Sequence, residues 1–77
     1  EITFNVFPNP TSDIWTISNE NSEISSVEVY DLNGKLVCSQ TPNSNIISIN
    51  ALNLNEGVYV SRLITPSGTK FVKLVKN

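Results

Sequence analysis

Seventy-seven residues suffice for one small domain with a modest core, and an apolar share of 39% is too high for a disordered tail. The net charge is −2 and the five basic residues are scattered until the last eight positions, so the clustered patch that neutralises phosphates is missing and nucleic acid is not an expected partner. There is no histidine, which removes ordinary Ser-His and Cys-His pairs, and no apolar run approaches the roughly 20 residues of a membrane helix.

Apolar residues alternate with period two between turn signals spaced roughly ten residues apart, the rhythm of an all-β sandwich. The pattern predicts strands near 3–7, 13–19, 25–31, 35–40, 45–50, 57–65 and 69–76. Between the first two, Pro8-Asn9-Pro10 fixes two φ angles and removes two backbone donors, so the chain must leave the first strand sharply. Proline in the middle also rules out glycosylation at Asn9-Pro10-Thr11. In the second strand Trp15 and Ile17 share one face, with Thr16 and Ser18 on the other. That shared face makes Trp15 an expected core residue, the alternative being an exposed sugar-binding tryptophan.

Val27 and Val29 alternate with Ser26, Glu28 and Tyr30 in the third strand. Asp31-Leu32-Asn33-Gly34-Lys35 then makes a hairpin, because Asn33 and Gly34 both tolerate the positive φ of a type I′ turn. Asp31 is placed to accept bonds from its own turn, with Lys35 opposite. Asp31 and Asn33 alone supply too few oxygens for calcium, and no metal or other cofactor is expected. Cys38, the only cysteine, lies in the apolar pattern Leu36-Val37-Cys38, where an inert, buried thiol is the natural reading. Ile47 and Ile49 alternate with Ser48 and Asn50, and the link Ala51-Leu52-Asn53-Leu54 is expected to tuck Leu52 and Leu54 over one end of the core.

Gly57 permits the tight turn before Gly57-Val58-Tyr59-Val60, in which Tyr59 and Leu63 face inward and the phenol needs a polar partner. Pro66-Ser67-Gly68 turns into the last strand. This final hairpin is apolar on both faces: Val58, Val60 and Ile64 oppose Tyr59 and Leu63, and Val72 and Leu74 oppose Phe71 and Val75. Only one face of a sheet in a two-layer sandwich meets the core. Either the strands bulge or twist to hide both sets, with Lys70, Lys73 and Lys76 guarding the edge, or an apolar strip stays outside for docking. Seven short strands in this length predict a small immunoglobulin-like antiparallel β-sandwich, without the paired cysteines of antibody domains.

Four motifs in fixed order, Pro8-Asn9-Pro10, Asp31 to Gly34, Gly57 with Tyr59, and the terminal run Lys73-Leu74-Val75-Lys76, resemble the C-terminal sorting domain (type A) of the type IX secretion (Por) system of Bacteroidetes. The likeness covers Val6 to Lys76; it departs at Trp15, where an aliphatic residue is usual, and at Ser61, where an apolar one is common. The resemblance implies a non-catalytic signal, residues 1–77 forming a single sorting domain excised from a longer precursor. It implies transit of the periplasm and passage of an upstream cargo through the outer-membrane translocon. A shuttle protein engages the domain, and a sortase removes it, leaving the cargo at the outer membrane, on the cell surface or in the medium. Within that reading Phe71, Lys73, Leu74, Val75 and Lys76 are the expected partner-recognition residues, and edge strands make a dimer a further expectation. The alternative is a retained adhesion or carbohydrate-binding sandwich, which needs an exposed aromatic surface.

Overall fold

The computed structural model describes residues 4–77. Its strands are β1 (Asn5–Phe7), β2 (Ile14–Ser18), β3 (Ser26–Tyr30), β4 (Leu36–Gln40), β5 (Ile46–Asn50), β6 (Gly57–Thr65) and β7 (Gly68–Lys76). Each lies where the alternation places it; the start of the expected 3–7 strand falls outside the described residues. Two antiparallel sheets form, in the orders β1-β2-β5 and β4-β3-β6-β7. This is the immunoglobulin-like arrangement, with the fourth strand beside the third.

The inward residues predicted from period two make the core. Trp15, Ile17, Ile47 and Ile49 come from one sheet, and Val27, Val29, Tyr59, Leu63 and Leu74 from the other, with Ile24 and Ala51 closing the ends. Ser61 sits among them, fully buried, and its Oγ donates to Val72 O at 2.8 Å. That bond removes the cost of placing a hydroxyl where the packing calls for an apolar group.

Three local expectations change. The Asp31–Lys35 turn is not type I′: Gly34 alone has positive φ, at 83°. Gly34 N donates to Asp31 O, Asp31 N to Lys35 O, and the Asp31 carboxylate accepts from the amides of Asn33 and Lys35 at 2.9 and 3.0 Å. With the carboxylate bound to these amides, Leu32 and Asn33 keep negative φ and Gly34 is the one left-handed position, as in a three-residue loop ending in a glycine. A register shift follows between Val29 and Tyr30, with Val37 as the extra residue of β4. Both Val37 and Cys38 lean on the core as a result, so Cys38 is half-buried and not fully enclosed. In the link after β5, Asn50 Oδ1 takes the Leu52 amide and Leu54 N reaches Ala51 O. That turn points Leu52 to solvent, 61% exposed, and leaves Leu54 alone to pack on the core.

Candidate docking surface

The β6–β7 pairing runs without a register break from Gly57↔Lys76 to Thr65↔Gly68. No bulge hides the second apolar set, so the two-sided pattern resolves as a strip on the outer face of the sheet. Phe71 is 63% exposed there, opposite Arg62, while half-buried Val58 faces Val75 and Val60 faces exposed Lys73. Half-buried Tyr30 flanks Val60 on the next strand, its hydroxyl bonded to Glu28, which also pairs with Arg62 at 3.2 Å. Glu28 is thus occupied, and Lys73 has no ion-pair partner among the described residues.

Of the five expected recognition residues, Phe71, Lys73 and Val75 lie on this outer face. Leu74 is fully buried in the core, and Lys76 turns inward, its Nζ donating to Leu54 O at 3.1 Å. Only the first three of the expected residues therefore present their side chains on that face.

The strand pairings bring the four sequence motifs to one end of the sandwich. The end of β3, the start of β6 and the end of β7 are level, so the Asp31–Gly34 loop, Gly57 and the terminal run share that end. Tyr59 is buried beside Trp15, ring centroids 5.9 Å apart at 61°, and its hydroxyl donates to Asn55 O at 2.7 Å. The edge-to-face geometry is the favoured aromatic arrangement. Trp15 itself is wholly enclosed and unavailable to a sugar.

Pro8-Asn9-Pro10 joins this group by a contact that motif reading missed. Both of its X–Pro bonds are cis. Asn9 lies beside β7, accepting from Val75 N at 2.8 Å and donating through Nδ2 to Lys73 O at 3.1 Å. Its side-chain amide stands in for the backbone of a neighbouring strand. Thr11 then forms a parallel bridge: its N–H donates to Val75 O, and its carbonyl accepts from Asn77 N. Trp15 Nε1 also donates to Val75 O, at 3.1 Å. The first turn of the chain and its last strand are thus one clamp. An asparagine among prolines, 64 and 66 residues from its partners, carries no sequence signal for such a contact.

Residues 5–77 match the family described as the secretion system C-terminal sorting domain. The chain is also similar to a curated protein named ulvan lyase NLR42, from Nonlabens ulvanivorans: 39% identical over 56 residues, which is 71% of this chain and 10% of that protein. The chain thus spans only a small part of the length of the relative it matches.

Proposed function

The chain belongs to the secretion system C-terminal sorting domain family, and on that premise we propose that residues 1–77 are a non-catalytic address carried behind a cargo and removed once it is delivered. Membership implies interaction with the type IX secretion machinery, attachment to an upstream cargo, and export to the cell surface or beyond. The finer reading is that the cargo crosses the periplasm, that a shuttle protein docks on the outer face of the β6–β7 hairpin, and that a sortase cuts ahead of β1. The observation that carries it is the unbroken β6–β7 register, which leaves Phe71 and Lys73 exposed among half-buried valines. An apolar strip with one cation, rimmed by polar residues, is the usual composition of a protein contact site.

The test is a transplant. Residues 1–77 are fused behind a periplasm-targeted fluorescent reporter in a bacterium with a working type IX system, and the reporter is located by fractionation and weighed by mass spectrometry. Surface or medium reporter lacking the domain is the expected result, and its mass gives the cleavage bond. Phe71→Ser with Lys73→Glu, both on exposed positions, should cut export about tenfold, the effect of losing one interface anchor. Reporter that stays uncleaved in the periplasm, beside a positive control that leaves, would overturn the reading.

A further inference from the structure

Of the asparagines in the chain, only Asn33 is followed by glycine. The backbone nitrogen after an asparagine can reach the side-chain carbonyl carbon, and glycine has no Cβ to hinder the approach. In this fold the two partners stand differently. The Asn33 side chain is exposed and makes no hydrogen bond among the described residues. Space beside Gly34 is open, since a Cβ there would meet nothing within 4 Å. The Gly34 nitrogen, by contrast, donates to Asp31 O at 3.0 Å. The Asp31 carboxylate fixes that turn by accepting from the amides of Asn33 and Lys35.

We propose that Asn33 is a site of spontaneous conversion to isoaspartate and aspartate, and that the Asp31 carboxylate gates it by keeping the Gly34 amide in the closed turn. The Gly34 amide gives its proton to hydroxide, and its nitrogen attacks Cγ of Asn33. The N–Cγ bond forms, the Cγ–Nδ2 bond breaks, and Nδ2 leaves as ammonia with a proton from water. Water then opens the five-membered imide. Opening at the main-chain carbonyl of Asn33 routes the chain through Cγ and gives isoaspartate; opening at Cγ gives aspartate. The balance is one water in and one ammonia out, with nothing oxidised or reduced. Because the attacking nitrogen must first leave Asp31 O and turn towards the side chain, only the opened loop reacts.

The other asparagines are placed less well. Asn9 is followed by proline, which has no N–H to lose. Ala51 N is bound to Asp13 O, and Asn50 Oδ1 is taken by the Leu52 amide. Asn19 and Asn45 hold hydrogen bonds through their own side-chain amides. The product also matters more here than elsewhere. Isoaspartate inserts an extra main-chain atom into a loop whose closure depends on Asp31, and either product sets a second carboxylate near the first. The change falls at the end of the sandwich that the loop shares with Gly57 and the terminal run.

The test follows the 77-residue chain in mildly alkaline buffer, with products located by tandem mass spectrometry and isoaspartate told from aspartate by its separate elution. Asn33 should convert before any other asparagine. The isolated peptide of residues 31–35, with no strands to close its loop, should convert more than about tenfold faster than the folded chain. Asp31→Ala should speed the folded chain about tenfold, the effect of losing hydrogen bonds to a charged acceptor. In the isoaspartate form, separated by ion exchange, the Lys35 amide should exchange its hydrogen faster, since its acceptor is displaced. Absence of product at Asn33, earlier conversion at another asparagine, a peptide no faster than the chain, an unchanged rate in Asp31→Ala, or unchanged exchange at Lys35 would each overturn the proposal. Should Asp31→Ala fail to fold, reported by a red shift of Trp15 emission, the parent chain against the peptide still decides. A transplanted reporter that stays in the periplasm would remove the sorting reading and leave this result standing.

Discussion

Asn9 ties the start of the domain to its end through one side-chain amide. A primary amide presents a donor and an acceptor side by side, so it matches the carbonyl of Lys73 and the amide of Val75 at the same time. Both bonds lie near solvent, so water replaces part of what they contribute. Asn9→Ala should therefore cost about 1–2 kcal/mol, the net worth of two such bonds. Asn9→Asp keeps the acceptor for Val75 N but sets a carboxylate against the Lys73 carbonyl, and should be no better than alanine. Urea unfolding followed by Trp15 emission measures both. A loss below about 0.3 kcal/mol for alanine would mean that the Thr11 bridge holds the strand alone.

At the scale of elements, two glycines carry different constraints. Gly34 has φ +83° and Gly57 φ +144°, and a Cβ at either would meet nothing within 4 Å. Space is open in both places, so any cost of alanine is conformational. Gly34 occupies the left-handed well that Asn also visits, and Gly34→Ala should cost about 1–2 kcal/mol, with Gly34→Asn costing less. The φ of Gly57 lies beyond that well, where side chains are strongly disfavoured, so Gly57→Ala should cost more, up to about 3 kcal/mol. Thermal unfolding resolves this order, since about 1 kcal/mol moves the midpoint of so small a domain by roughly 4–8 °C. Equal shifts for the two alanines would refute it. The strands were legible in the sequence because burial in a sandwich repeats every second residue, as Trp15 with Ile17 and Ile47 with Ile49 show. The turn type at Asn33-Gly34 was not, because a side-chain acceptor at Asp31 outweighed the backbone preference of the pair. The two-sided apolar hairpin was visible as a pattern, but only the register told which of its two outcomes held. The clamp was invisible, since hydrogen bonds between residues so distant in sequence leave no periodicity.

Across the whole molecule, the terminal run is as much structure as address. Leu74 is in the core, Val75 O accepts from both Thr11 N and Trp15 Nε1, and Lys76 reaches Leu54 O. Deleting residues 73–77 removes a buried leucine, worth about 2–5 kcal/mol, together with the bonds that join the two sheets at that end. A domain of this size holds only about 4–12 kcal/mol in total, at roughly 0.05–0.15 kcal/mol per residue. The truncated chain should therefore lose cooperative unfolding, and Trp15, wholly enclosed in the intact domain, should shift its emission to the red. If so, failed export of that truncation would report a lost fold as readily as a lost recognition element, whereas the double change at Phe71 and Lys73 leaves the core and the clamp in place. A truncation that kept a sharp thermal transition and a blue-shifted Trp15 would contradict this account, and would make the last five residues an appendage that the partner alone requires.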